Sequence, residues 1–229
     1  MQAVKLYTYC RSSAAYRVRI ALNIKGLDYH SEYVHLLKGG GEQFSAAYRA
    51  LNPQMLVPSY CDGEQTLTQS LAIIEYLEER HPDPALLPKA PQARAQVRSL
   101  ALNIACDIHP LDNLRVLRYL EQHLGLDKAA RECWYCHWID EGLSALEASM
   151  MAQRLADTGA GVETGGDYCH GDQVSLADLC LIPQVYNALR FNCDISIYPT
   201  IQRIYQHCMG LAVFQQAAPE QQTDFVESP

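Results

Sequence analysis

The chain has 229 residues, 48% of them apolar, and a formal net charge of −8. That size allows one large domain or two modest ones, and the apolar share excludes a disordered chain. The acidic balance argues against nucleic acid as the main partner, because phosphate recognition needs a basic face. No apolar run reaches the roughly 20 residues of a membrane span.

In chain order, the apolar stretch 4–9 predicts a strand, followed by helical periodicity over 14–26 with Gly26 as its C-terminal stop. Residues 29–36 alternate like a second strand, Lys38 and three glycines make a flexible turn, and a short helix is expected at 42–50. Two extended pieces, 57–61 and 66–67, flank Asp62-Gly63, a strong hairpin signal. A helix at 70–80 then places Leu71, Ile74 and Leu77 on one face. The order β-α-β-α-β-β-α predicts a small mixed sheet covered by helices, with its first two strands parallel.

Residues 81–91 contain four prolines and read as a linker. Beyond it only helical periodicity is evident, over 92–122, 129–153, 176–190 and 199–208. Ser175 followed by Asp178 resembles a capping box, and the last ten residues read as frayed. The expected division is an α/β domain at 1–82, a linker at 83–91 and an all-α domain at 92–229.

Nine cysteines, an odd number scattered along the chain, read as reduced thiols and not as a disulfide framework. The N-terminus lacks the charged-then-apolar layout of a signal peptide, so a cytoplasmic protein is expected. Cys133, Cys136 and His137 lie in an aromatic helical segment and read as packing; no metal site is predicted. Cys10 ends the first strand and reads as a buried thiol.

The most informative stretch is 11–22. Arg11, Ser12 and Ser13 stand where a strand turns into a helix, at unpaired N–H groups and the positive end of a helix dipole. Such a corner suits an anion. Arg17 and Arg19, farther along, read as helix-surface charges, with Arg17 bordering the site.

The run 11–13 with 17–22, the segments Leu51-Asn52-Pro53 and Val57-Pro58, the stretch 69–79 and the later stretches 175–185 and 190–191 together resemble the zeta-class glutathione transferases. That family includes the maleylacetoacetate and maleylpyruvate isomerases. The resemblance implies a thioredoxin-like first domain, a helical second domain and a two-fold homodimer. It implies glutathione as a cofactor that is not consumed, held by Ser12, Ser13, Arg17, Gln43, Val57, Pro58, Gln69, Ser70, His109 and Asn113. Pro58 is then expected to follow a cis bond that exposes the Val57 backbone. Ser70 is expected to cap its helix and bind the γ-glutamyl carboxylate.

Ser12 and Ser13 offer hydroxyls to the cofactor's sulfur, one of them as thiolate partner and the other as a cap; Ser12 is the better candidate. Arg11, Arg115 and Arg190 are the candidates for gripping a small dicarboxylic keto-acid, since guanidinium forks match carboxylates. Arg11 also joins Ser12 and Ser13 as a catalytic candidate. The family signature carries a cysteine where this chain has Ala14, so no sulfur is available there. The activity implied is glutathione-dependent cis–trans isomerisation in aromatic amino acid or aromatic compound breakdown. The alternatives are a glutathione transferase or dehalogenase acting on α-halo acids, and a non-catalytic glutathione-fold binding protein.

Overall fold

The structure, a computed structural model, describes residues 4–159 and 166–226. In chain order it runs β1 (Lys5–Thr8), α1 (Ser13–Ile24), β2 (His30–Tyr33), α2 (Ala46–Leu51), β3 (Ser59–Asp62), β4 (Gln65–Thr68) and α3 (Ser70–Arg80). There follow α4 (Pro91–Leu102), α5 (Leu114–Gln122), α6 (Lys128–Gly159), α7 (Leu176–Arg190), α8 (Pro199–Met209) and α9 (Ala212–Ala217). The chain divides into two compact units, 1–86 with 210–229, and 87–209. The tail therefore groups with the first unit, whereas periodicity had placed it with the helices.

In the first unit the strands lie in the order β2-β1-β3-β4. β1 and β2 are parallel and the β3–β4 hairpin is antiparallel, as predicted; β1 also pairs with β3, antiparallel. Gly63 supplies the positive φ of 62° that the hairpin turn requires. Leu6, Ile20, Leu22, Ile73, Ile74 and Leu77 are fully buried or nearly so and join the sheet to α1 and α3. The helix expected over 42–50 is split, because Ser45 adopts extended backbone and caps α2 by accepting from the Tyr48 amide. Strand β2 is shorter than the alternation over 29–36 predicted.

The tail corrects two expectations. The tail is held at Asp224 and Phe225: the Asp224 carboxylate accepts from the Cys10 amide at 3.0 Å, and Phe225 lies against the cluster of Tyr9, Cys10, Val34, Tyr48 and Val57. The frayed reading also covered 227–229, which lie outside the described residues. Second, Arg17 and Arg19 are 2% and 0% exposed instead of lying on a helix surface. The reasons differ: Arg19 lies on the face of α1 that packs against α9 and the end of β1, whereas Arg17 points to Ser70 at the start of α3. Arg19 donates from Nε to the Ala217 carbonyl (2.9 Å), from Nη1 to Thr8 Oγ1 (3.0 Å) and the Tyr9 carbonyl (3.3 Å), and from Nη2 to the Cys10 carbonyl (2.9 Å).

The start of the linker is also held. Buried Lys25 donates from Nζ to Glu78 Oε2 and to the Pro84 carbonyl, both at 2.6 Å, and both Glu78 carboxylate oxygens accept from the Leu86 amide. Burying two charges is offset here because each finds a partner and further hydrogen bonds.

The second unit contains no strand among the described residues. The continuous helix expected over 92–122 is broken: α4 passes into a π-turn at 103–108, and α5 starts afresh after Pro110 and Asn113. A glycine is required at 142 in α6, since a Cβ there would collide with the side chain of Ile108; this close approach seats the π-turn on α6. The capping box at Ser175 is present. Fully buried Asp178 accepts from the Cys169 amide (2.7 Å), the Ser175 amide (2.8 Å) and Ser175 Oγ (2.9 Å).

Candidate active site

The candidate residues of the first unit are positioned by two helix starts and one turn. At α1, Ser12 is the N-cap, and its Oγ accepts from the Ala15 amide at 3.2 Å. Capping uses a lone pair of the hydroxyl, so its proton is still available to donate. Ser12 is half-buried, whereas Ser13 is buried. Ser12 is therefore the cap, the role the sequence reading had left to the other serine, and capping does not occupy its hydroxyl proton.

At α3 the chain arrives through Gln69 with φ of 69°, which is the N-cap; its Nε2 donates to Gln54 Oε1 at 2.9 Å. Ser70 is already helical and so is not the cap, contrary to expectation. Its buried Oγ instead accepts from Arg17 Nη1 at 3.3 Å. A guanidinium and a helix N-terminus thus converge on one hydroxyl, an arrangement suited to a carboxylate.

The turn before β3 is fixed by its own side chains. Asn52 Nδ2 (2.8 Å) and the Tyr48 hydroxyl (2.7 Å) both donate to the Leu56 carbonyl, and Asn52 Oδ1 accepts from the Gln54 amide. The Val57–Pro58 bond is cis, as expected, and so is Asp83–Pro84, which nothing in the sequence announced. Gln43 is 4% exposed; its Nε2 donates to the Leu36 carbonyl at 3.4 Å, and its Oε1 accepts no hydrogen bond among the described residues. A buried amide oxygen in that state is an acceptor waiting for a donor.

Arg11 is tied to the tail. Its Nη2 donates to the Val226 carbonyl at 2.7 Å, and its guanidinium lies 5.2 Å from the Phe225 ring centre. The neighbouring Cys10 is no stand-in nucleophile: burial and the Asp224 carboxylate push its thiol up to about 11, so it stays protonated.

The second unit's candidates cluster around the π-turn and the end of α7. His109 closes the π-turn, and Asn113 caps α5 by accepting from the Arg115 amide at 3.0 Å. Arg115 is exposed. Arg190 is exposed at the end of α7, with its guanidinium 4.7 Å from the Phe191 ring centre. Phe191 in turn stacks on buried Tyr135 at 3.7 Å.

Sequence reasoning missed Asp112. Only 6% exposed, it has neither carboxylate oxygen hydrogen-bonded among the described residues, and burial pushes it up to about 8. Its proximity to Asn113 was a signal; its burial was not. Cys136 and Cys193 form a disulfide, which corrects the expectation of reduced thiols throughout. They are 57 residues apart, so no local spacing marks them. Cys133 is free and exposed, and His137 meets Trp138 edge-on, which is packing.

A family profile described as "Glutathione S-transferase, N-terminal domain" matches residues 6–85. The chain is 52% identical to the probable maleylacetoacetate isomerase of Vibrio cholerae serotype O1, over 98% of this chain and 99% of that one. It belongs to the zeta-class glutathione transferases. Among solved structures of that family, maleyl pyruvate isomerase, a bacterial zeta-class glutathione transferase in its holo form, superposes with a TM-score of 0.89. It is 44% identical over 97% of this chain and 100% of that one. The maleylacetoacetate isomerase of Methylobacterium extorquens AM1, with bound malonate and glutathione, gives 0.86 at 40% identity, covering 95% and 97%.

As a zeta-class chain, the protein has the expected pairing of a thioredoxin-like sheet unit with a helical one. The residues present fit glutathione on grounds of their own chemistry. A peptide-like cofactor would offer donors for the Gln43 oxygen, a carboxylate for Arg17 and Ser70, and a sulfur for the Ser12 hydroxyl. Ala14 is half-buried at the second turn residue of α1, so the thiol that the zeta signature places there is replaced by a methyl group.

Proposed function

We propose that this protein is a glutathione-dependent cis–trans isomerase converting maleylacetoacetate or maleylpyruvate to its fumaryl isomer. The observation that carries the reading is the Ser12 hydroxyl. It is capped onto the first turn of α1 and still has its proton to donate toward a thiolate. Bound glutathione supplies the thiolate that adds to the cis double bond and leaves once the bond has turned.

The chain's own residues have three tasks. Ser12, helped by the dipole of α1, stabilises an anion at sulfur and lowers a thiol from its ordinary value of about 8.5 toward neutrality. Arg17 with Ser70, together with Gln43, Gln69 and the Val57 backbone, holds the cofactor's peptide frame and carboxylate. Family resemblance adds His109 and Asn113 as cofactor-binding candidates. Arg11, Arg115 and Arg190 hold the substrate's carboxylates and the charge that develops on its ketone oxygen. Ser13 supports the start of α1 beside the sulfur. We further propose a two-fold homodimer in the cytoplasm, as family membership and the acidic, apolar-rich composition favour.

The test is a coupled absorbance assay for loss of the cis substrate, run on both keto-acids with and without glutathione. Turnover that requires glutathione but leaves its concentration unchanged is expected, and the faster substrate names the physiological one. Stoichiometric loss of glutathione thiol, or no turnover on either acid, would overturn the isomerase.

A further inference from the structure

Seven of the nine cysteines are free and one pair is joined, at the point where the chain leaves α7. Cys136 lies on α6 and Cys193 three residues beyond Arg190. Their Cα atoms are 5.3 Å apart, inside the roughly 4.4–6.8 Å that a disulfide bridges. The two sulfurs are unequal in access: Cys136 is half-buried, whereas Cys193 is 8% exposed. The bond encloses Tyr135 stacked on Phe191, the ring over which the Arg190 guanidinium lies, and Asn192 at a positive φ of 57°. A disulfide that served only as a fold-wide staple would have little reason to stand alone among free thiols, beside an exposed arginine.

We propose that Cys136 and Cys193 form a thiol–disulfide exchange site for the glutathione couple, and that their bond positions Arg190. The positioning clause rests on the function proposed above; the exchange itself does not. Oxidation begins with the Cys136 thiolate attacking a sulfur of glutathione disulfide. This forms a Cys136–glutathione mixed disulfide and expels one glutathione thiolate. The Cys193 thiolate then attacks Cys136 Sγ, forming the internal bond and expelling the second glutathione. Two protein thiols are oxidised and one glutathione disulfide is reduced to two glutathiones. The reverse starts with glutathione attacking Cys136, the sulfur with the better access. In the reduced state the Phe191 carbonyl, 3.8 Å from Cys136 Sγ, is an acceptor for the Cys136 thiol, so the pair stays close enough to re-form.

The test equilibrates the full-length protein in buffers of varied glutathione to glutathione disulfide ratio, traps free thiols by alkylation and maps them by peptide mass. The expected result is one two-electron transition of the Cys136–Cys193 pair within the titrated range. The C193S variant should accumulate a glutathionyl adduct on Cys136. A pair that never links, or never opens, would overturn the exchange site. So would an adduct in C193S carried by exposed Cys106 or Cys133 with Cys136 unmodified.

Binding of malonate, a dicarboxylate probe, is then measured calorimetrically on the oxidised and reduced wild type and on the C136S/C193S variant. The dissociation constant should rise about fivefold on reduction and be insensitive to redox in the variant, the size expected for one loosened charge contact. Equal affinity in both redox forms would overturn the positioning of Arg190. Failure of the isomerase assay would leave the mass titration to be judged by itself.

Discussion

The candidate residues of the two units are held in opposite ways. In the first unit most of the polar groups are buried or half-buried and held by the protein itself: Arg17 to Ser70, Ser12 to the Ala15 amide, Gln43 to the Leu36 carbonyl. In the second, Arg115 and Arg190 are exposed, and Arg190 rests on an aromatic ring instead of on a carboxylate. A buried, pre-set group has its ordering cost met during folding, so it suits a constant cofactor. An arginine at the surface, even one seated on a ring as Arg190 is, keeps more rotamer freedom than a buried one and can adapt to more than one small acid. The contrast fits a family whose named members differ in substrate and share glutathione.

Substitutions can break or sharpen this contrast. The largest effect is expected for R19A, which strands the carbonyls of Tyr9, Cys10 and Ala217 in the first unit's interior. A loss of about 3–5 kcal/mol in urea unfolding would match a buried charge network broken at its centre. A loss under about 1 kcal/mol would mean that the tail closes over α1 without needing that guanidinium. S12A should lower kcat by about 100-fold, as for a lost anion donor, and cost about 1 kcal/mol for the lost cap. It should also return the bound cofactor's thiol toward about 8.5, read from the pH dependence of its ultraviolet thiolate absorbance. An unchanged profile would transfer the role to Ser13.

R190A should raise KM for the keto-acid about tenfold, with kcat nearly constant, because an adaptable carboxylate contact contributes to ground and transition states alike. A fall in kcat of the same size would assign Arg190 to the reacting ketone. The last effect is read as a slope and not as a single loss. Folded Asp112 holds its proton to about pH 8, while the unfolded chain releases it near its ordinary value of 3.8. Between those values the unfolded state binds fewer protons. The contribution of this group is therefore complete below about pH 4 and falls as pH rises, by at most about 1.4 kcal/mol per pH unit. Denaturation midpoints of D112N from pH 5 to 9 should lack that component of the slope.

Much of this was legible before any coordinates. The sheet followed from alternation, Asp62-Gly63 and the crossover rule, and the helix start at Ser175 from capping chemistry, whereas at 12–13 the cap falls on Ser12, the serine read as thiolate partner. What escaped the sequence involved long-range contact. Arg17 and Arg19 have the spacing of solvent-facing charges, yet α3 meets Arg17 at Ser70, some 50 residues on, and α9 covers Arg19 at Ala217, some 200 residues on. Asp112 reads as one more loop acid, and only the folded second unit shows it buried. The break in 92–122 was foreshadowed by Pro110, yet the apolar periodicity on either side masked it.

The first unit is discontinuous in sequence, and this sets an order on its birth. As the chain is synthesised, residues 87–209 can close their core as soon as they emerge. The sheet unit, although made first, must wait. Its Arg19 has no Ala217 carbonyl and its Cys10 amide no Asp224 carboxylate until the tail arrives. A nascent chain halted at 209 should therefore protect the helical segment from protease while leaving 1–86 open to it. A stop codon before position 212 would cripple the glutathione end of the protein, although every residue proposed to touch glutathione would still be present.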